Sequence, residues 1–560
     1  MTAKTRKTPV DFSVLIAGAA GEGIQTIGAV AARTILTHGC PVFASQEFES
    51  RIRGGFSGYH LRIGGPNAPR EDVDVLLALN PKAKEHYQSM LREGGLLISE
   101  DGAGPGEVGV PFRQIAKEDF GGEIYANTIA AGTLVSALGI ELEALLSTLR
   151  ATFGQAGKDV LETNLAAART GYEKLAQLKP PVALPARETA YTHLSAHDAI
   201  VLGAASAGCR FMAAYPMSPS TGIITAFAKD PGLGVLVEQA EDEIAAANLA
   251  IGASYAGARA MTATSGGGFA LMVESVSLSG MSETPLVIVL AQRPGPATGL
   301  ATRTGQEDLL FTIHAGHGEF AKAVLAPADA KDAFEKTQRA FALAERFQIP
   351  VIVLTDQFLA DGSFSYERFP IGSRPSTDDF ARPEDIFDYG RYALTDNGIS
   401  PRLFPGQSTH IVRADSHTHD EKGDLTEDLG AVRPATVRKQ LAKLDTLRRE
   451  IAPPEMVHLE DAEEVLIGWG SSRGAIDEAV TDLRAEGRRI GRIHFTELWP
   501  LPKVDFPEGK KYVTVEGNAT GQLAQLLASG YGLRVSGTIG RFDGLPLTAA
   551  HVKGGLDDEA

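Results

Sequence analysis

The chain has 560 residues, 43% hydrophobic and 22% charged, with only two cysteines and a formal net charge of −17. That length exceeds what one hydrophobic core supports and points to about three or four domains. The composition excludes a disordered chain, a disulfide framework and an all-cysteine metal site; the acidic balance argues against nucleic acid and anionic membranes as partners.

The opening MTAKTRKTPVDF is basic but has no apolar signal core, and no run of about 18 apolar residues follows, so a cytoplasmic protein is expected. FSVLI (12–16) predicts a strand that runs into AGAAGEGIQTIG and then a helix through Thr37. This is a strand, glycine turn and helix, but its glycines stand at Gly18, Gly21 and Gly23, off the G-x-G-x-x-G spacing, and no acidic ribose ligand follows. A turn that packs a helix onto a strand explains it better than a nucleotide does. VDVLLAL (73–79) and GLLISE (95–100) add buried strands, and a first α/β domain is expected over 1–180, with an extended linker over 181–194.

A second domain is expected over 195–360. Strands at FMAAYP, VLVEQ, ARAMTATS, TPLVIVLAQ and IPVIVLTD alternate with helical patterns, the signature of a mostly parallel, doubly wound sheet. Residues 361–455 are irregular and rich in Pro, Gly, Asp and Arg. A third α/β domain over 456–560 starts at EEVLIGWGSS, where Ser471 and Ser472 are expected to cap a helix. The last dozen residues read as a frayed tail. Trp469 and Trp499 are expected to pack the third domain, and Cys40 and Cys209 to be core thiols.

The chemistry concentrates between 238 and 272. Four carboxylates (Glu238, Glu241, Asp242, Glu243) lead into an Ala- and Ile-rich helix, and the strand after it ends in TSGGG, where glycine lets backbone approach a ligand. Acid at a helix start commonly serves only the helix dipole. Glu243 stands apart because the residues after it predict a buried helix. Two further segments fall at strand ends, where open parallel sheets place ligands: the turn YPMSPST (215–221), with Ser218, Ser220 and Thr221, and QRPGPATG (292–299), with Arg293. Alone, Arg293 reads as a surface arginine; beside the other two segments it reads as a carboxylate binder. His410, His417 and His419, with Asp415 and Asp420, match no common zinc spacing, so no metal is expected in this chain.

YPMSPST resembles the YPITPS turn of 2-oxoacid:ferredoxin oxidoreductases. EDEIAAANLAIGASYAGARAMTATSGGGFALM and QRPGPATGLATRTGQEDLLF are similar to later motifs of the same subunit. GAAGEGIQTIG…SQEFESRIRGG resembles that family's gamma domain, fused ahead of the alpha domain, while HFTELWPLP and VTVEGNATGQLAQLL resemble a transketolase C-terminal-like domain. The fused order and HAGHGEF (314–320) look most like the 2-oxoglutarate members.

The resemblance implies oxidative decarboxylation of a 2-oxoacid with coenzyme A, 2-oxoglutarate giving succinyl-CoA, with thiamine diphosphate as cofactor and ferredoxin as acceptor. It places the glutamate that protonates the aminopyrimidine ring at Glu243, with Glu241 as the alternative, and adds Tyr215, Pro216, Ser265, Gly266 and Gly267 as cofactor contacts. Ser218 and Arg293 are implied for the substrate carboxylate, and Arg303 for a distal one. Met217-Ser218 replaces the usual Ile-Thr, keeping the hydroxyl, and TGLATRTGQEDL departs from TGLPTRTEQ. No GDG motif is present, and two distant cysteines hold no four-thiolate cluster. A beta subunit is therefore expected to carry Mg2+, the diphosphate site and a [4Fe-4S] cluster, in a dimer of alpha/beta units. The alternatives are the same chemistry on pyruvate, branched-chain or aryl oxoacids, and a nucleotide-binding regulatory protein built on the GAAGEGIQ turn.

Overall fold

Apolar runs and helical stretches assemble into three sheets in the computed structural model, which describes residues 10–49, 55–102, 104, 106–178, 180–182, 184–369 and 380–558. The basic tail (1–9) and residues 50–54 of SQEFESRIRGG lie outside the described residues. Two compact units result: one of residues up to Leu194 with Gly362–Phe369 and Thr548–His551, the other of most of the remainder.

The first unit holds an eight-stranded sheet. Its spatial order is Glu107–Gly109, Leu91–Ser99, Val73–Ala78, Phe12–Ala19, Phe56–Ile63, Val42–Phe48, Ser363–Tyr366, Thr192–Ser195. The first four strands are mutually parallel, as expected of a βα unit. Phe56–Ile63 runs antiparallel to both its neighbours, because the seven residues 49–55 are too few for the crossover that a parallel neighbour needs. The expected linker ends in a strand rather than extended coil, and Ser363–Tyr366, from the segment read as irregular, supplies another.

In the second unit, Glu497–Trp499, Ala323–Leu325, Pro350–Asp356, Leu286–Gln292, Arg259–Thr264, Cys209–Ala214 and Leu236–Gln239 form a sheet in that order. All its pairs are parallel except the edge strand Glu497–Trp499. Parallel strands covered on both faces read as unbroken apolar runs, and Leu286–Gln292 is buried along its whole length. A five-stranded sheet follows in the order Glu455–Val457, Ile490–Phe495, Glu464–Trp469, Lys511–Glu516, Gly537–Gly540.

The third domain does not stand apart. Trp469, Phe495 and Leu527 share one apolar core with Phe269, Leu290 and Val324 of the larger sheet and its helices. Trp499, expected in the third domain, instead lies on the edge strand of the larger sheet, opposite Val324. Gln306 staples the two sheets. Its backbone N–H donates to the Gly517 carbonyl (2.7 Å) and its side-chain oxygen accepts from Gly517 N–H (2.9 Å). Its side-chain amide donates to the Trp469 carbonyl (3.1 Å), and its own carbonyl accepts from Asn518 Nδ2 (3.1 Å).

Two more expectations change. The segment 361–455 contains a 19-residue helix, Val432–Glu450, and the tail read as frayed is helical over Ala549–Asp558. The long helix is anchored by buried charge: Lys439 and Lys443 both donate to Glu283, each at 2.5 Å. Burial works against the Glu283 carboxylate, but Lys443, Lys439 and Arg391 hold it down to about 2.

Candidate active site

Connections leaving Cys209–Ala214 and Arg259–Thr264 run in opposite directions across the larger sheet, toward Leu236–Gln239 and toward Leu286–Gln292. The crevice between such strands is where open α/β sheets bind ligands. The turn 215–221 follows the first of these strands, and TSGGG ends the second.

Glu243 is the first residue of the helix Glu243–Tyr255. Asp242 caps that helix, its carboxylate accepting from Ala245 N–H at 2.7 Å. Such a cap is worth about 1 kcal/mol. Glu243 is only 3% exposed, and its Oε1 is buried without a hydrogen-bond partner. Glu241 is exposed, so of the two acids the sequence left open, Glu243 is the one held inside the protein. The helix runs unbroken from Glu243 to Tyr255.

The triple glycine is the first turn of the helix Gly266–Met281, capped by position rather than by hydroxyl: Ser265 is fully buried and its Oγ has no partner. Each glycine meets something different. A Cβ at Gly268 would lie 2.1 Å from Thr264 Oγ1 and 2.6 Å from Glu243 Oε1, and one at Gly266 would lie 2.4 Å from Asp308 Oδ2. Gly267 is exposed, with nothing nearer than the Ala297 carbonyl at 3.7 Å. The site therefore has buried carboxylate oxygens without partners, Glu243 Oε1 and Asp308 Oδ2, packed against one helix start. Burial, with Glu307 beside it, pushes the Asp308 carboxyl up to about 6.

Tyr215 is 40% exposed and Ser218 is exposed. Arg293 reaches across to this turn, its Nη1 donating to the Ser218 carbonyl at 2.8 Å. The contact joins two segments that the sequence placed at matching strand ends, through the backbone of Ser218 rather than its hydroxyl. Burial lowers the Arg293 pKa from its usual value. The loop after Arg293 folds back on itself: Gly295 N–H donates to Glu307 (2.8 Å) and Asp308 N–H to Gln292 Oε1 (2.9 Å). Arg303 lies against Gly544, where an added Cβ would stand 3.1 Å from the Arg303 Cβ.

Sequence reasoning passed over Asp308, Gln306 and the pair His197 and Asp361. Asp308 and Gln306 sat inside a quoted motif without a role, and His197 lay outside every quoted motif. Ser472 takes the N-cap position of the helix Arg473–Ala485, as expected, but makes no side-chain cap: Ser471 donates to Asp356, and Ser472 turns back to Trp469. His410, His417 and His419 go to separate partners, namely the Ile386 carbonyl, Asp415 and the Tyr392 ring. In the first unit, Glu22 fills its own glycine turn, accepting from Ala19 N–H (2.7 Å) and Asn80 Nδ2 (2.6 Å) and pairing with Arg113.

A parallel sheet with a buried acid heading a helix at its switch point defines an α/β ligand-binding fold, and two oxidoreductase family descriptions match the chain. Residues 202–438 match "Pyruvate flavodoxin/ferredoxin oxidoreductase, thiamine diP-bdg" and residues 13–174 match "Pyruvate ferredoxin/flavodoxin oxidoreductase". The 2-oxoacid:ferredoxin oxidoreductase 2 alpha subunit of Aeropyrum pernix is 32% identical, over 98% of this chain and 97% of that protein. The 2-oxoglutarate synthase subunit KorA of Methanothermobacter marburgensis is 34% identical over 60% of this chain and 91% of its own length. Among solved structures, 2-oxoglutarate:ferredoxin oxidoreductase from Magnetococcus marinus, with 2-oxoglutarate, coenzyme A and succinyl-CoA bound, superposes with a TM-score of 0.88 at 31% identity, over 99% of this chain and 100% of that one. The chain belongs to the 2-oxoacid:ferredoxin oxidoreductase family, as an alpha subunit. No helix among the described residues is long and apolar enough to cross a membrane.

Proposed function

We propose that this chain, with a gamma-type domain ahead of its alpha domain, is the pyrimidine-side subunit of a thiamine diphosphate-dependent enzyme that decarboxylates 2-oxoglutarate oxidatively, passing the acyl group to coenzyme A and the electrons to ferredoxin. The observation that carries the reading is Glu243: a buried carboxylate oxygen with no partner, at a helix start, across from a glycine that leaves it room. Unpaired buried acid is costly unless a ligand completes it. Thiamine diphosphate, when bound, supplies the group that stabilises the carbanion left by decarboxylation.

The chain's own residues do the rest. Glu243 holds a proton at the aminopyrimidine ring nitrogen. Ser265, Gly266 and Gly267 would hold the ring at the helix start, and Tyr215 and Pro216 would contact it from the turn 215–221. Ser218 and Arg293 receive the substrate carboxylate, and a guanidinium suits that partner because it can bind bidentately. Arg303 is the candidate for the distal carboxylate of 2-oxoglutarate, and the bound ligands of the Magnetococcus marinus enzyme favour that substrate over pyruvate, branched-chain or aryl oxoacids.

A beta subunit completes the enzyme in this reading, bringing the diphosphate site, Mg2+ and a [4Fe-4S] cluster, most simply as a dimer of alpha/beta units. Ile244 (49% exposed) and Leu249 (41%) on one helix and Leu271 (51%) on the next support a partner surface, since helices apolar on every side are normally covered. The Glu22 carboxylate in the glycine turn disfavours the nucleotide-binding alternative.

The test is co-purification with the candidate beta subunit and assay of ferredoxin or viologen reduction. Reduction dependent on coenzyme A and fastest with 2-oxoglutarate is expected. No reduction with any 2-oxoacid rejects the reading, and a faster rate with another oxoacid reassigns the substrate.

A further inference from the structure

A histidine–aspartate pair, His197 buried and Asp361 half-buried, lies behind the turn 215–221. His197, on the helix Ala196–Ser206, is 9% exposed, and its Nε2 lies 2.9 Å from the Pro219 carbonyl oxygen. A carbonyl only accepts, so Nε2 carries a proton. The other nitrogen, Nδ1, is 3.9 Å from Asp361 Oδ1, and Gln357 Nε2 donates to Asp361 Oδ2 at 2.9 Å. Burial raises the Asp361 pKa and His197 draws it back down. Gly222 makes the space: a Cβ there would stand 2.4 Å from His197 Nδ1 and 2.5 Å from Cε1. One residue before Pro219 is Ser218, whose carbonyl accepts from Arg293.

We propose that Asp361 and His197 are positioning residues for the substrate-carboxylate site, fixing the Pro219 carbonyl and, through the adjoining Ser218 peptide, the head of Arg293. The inference rests on the reading of Ser218 and Arg293 as that site. Neither member of the pair touches substrate. The imidazole sets one carbonyl, Asp361 lies beside the imidazole and is itself held by Gln357, and the preceding carbonyl of the turn sets the guanidinium. Oriented neighbours of this kind matter because a displacement of about 1 Å at a binding group can cost on the order of 10²-fold. The consequence is selective. Loss of the brace loosens binding of the 2-oxoacid and leaves coenzyme A and the chemical step alone.

The experiment uses the complex with its beta subunit. His197→Leu removes the donor, His197→Gln keeps an amide N–H at similar reach, and Asp361→Asn removes the charge while keeping the shape. For His197→Leu the KM for the 2-oxoacid is expected to rise roughly 10-fold, with kcat and the coenzyme A KM within about 2-fold. His197→Gln should restore most of the loss, and Asp361→Asn should give a smaller rise. Binding of the 2-oxoacid without coenzyme A, followed by calorimetry, should weaken in parallel. Unchanged KM and Kd in His197→Leu overturn the inference, as does a fall in kcat with KM unmoved or a loss that His197→Gln fails to rescue. If His197→Leu does not fold, His197→Gln and Asp361→Asn carry the same test, and wild-type values for Asp361→Asn overturn the role of the pair. A wild-type complex inactive with every 2-oxoacid rejects the functional reading and this inference with it, whereas an active wild type with unaltered variants rejects the inference alone.

Discussion

Gly268→Ala asks how closely the helix start grips Glu243. The added methyl would stand 2.1 Å from Thr264 Oγ1 and 2.6 Å from Glu243 Oε1, far inside van der Waals contact, so one of the two must move. Two effects compete. Alanine in place of glycine inside a helix gains about 1 kcal/mol, and overpacking of a filled interior costs about 1–3 kcal/mol. A net loss of about 0–2 kcal/mol follows. Gly267→Ala in the same turn is the matched control, because its nearest neighbour would be 3.7 Å away. It should gain the helix term alone, so the two variants should differ by about 1–3 kcal/mol in urea unfolding. Turnover in the complex should fall on the order of 10²-fold for Gly268→Ala, since the methyl displaces the carboxylate. Equal stability of the two variants, or near-normal turnover of Gly268→Ala, would refute the reasoning.

Glu243→Gln should abolish most turnover, by about 10²–10⁴-fold, while the complex still assembles on a sizing column. Arg293→Ala should raise the KM for the 2-oxoacid; a lost hydrogen bond to a charged group is worth about 1.5–3 kcal/mol, or roughly 10- to 100-fold. Glu283→Gln leaves Lys439 and Lys443 buried without their anion and should cost about 3–5 kcal/mol at neutral pH in denaturant unfolding. The Glu283 carboxyl sits at about 2 in the fold against 4.5 unfolded, so its stabilisation is complete above 4.5 and is lost as pH falls toward 2. The gap between wild type and variant should close over that window. Asp308→Asn works in the opposite sense. A carboxyl raised to about 6 from 3.8 costs stability as pH rises through that interval, so the variant should gain stability at about pH 7.5 and lose the advantage near pH 4.

The strands were legible because buried parallel strands are continuous apolar runs, as in TPLVIVLAQ, and Glu243 because the small residues after it announced a buried helix. The antiparallel pairing of Val42–Phe48 with Phe56–Ile63 follows from loop length, which the apolar pattern does not display. Val432–Glu450 escaped because its buried face carries Thr436, Lys439, Gln440 and Lys443, so charge pairing with Glu283, rather than apolar spacing, holds it in place. The cap position at Ser472 was legible but not its missing side-chain bond, and Ser471 has another claimant in Asp356, 115 residues away. His197 was invisible for a similar reason: its partners are a turn carbonyl and a carboxylate that only the folded chain brings near.

The Gln306 staple bears on how relatives of this chain can be recombined. The loop that carries Arg303 and Asp308 is fastened to Gly517 and Asn518, beyond the last long connection, so a loop proposed to face the substrate is held by a sheet formed much later in the chain. A chimera that exchanged the C-terminal sheet for that of another oxoacid enzyme would transplant the fastening along with it. Its selectivity should then follow the donor of the fastening as well as the donor of Arg293, and crossovers that leave residue 306 and residues 517–518 from the same parent should survive best.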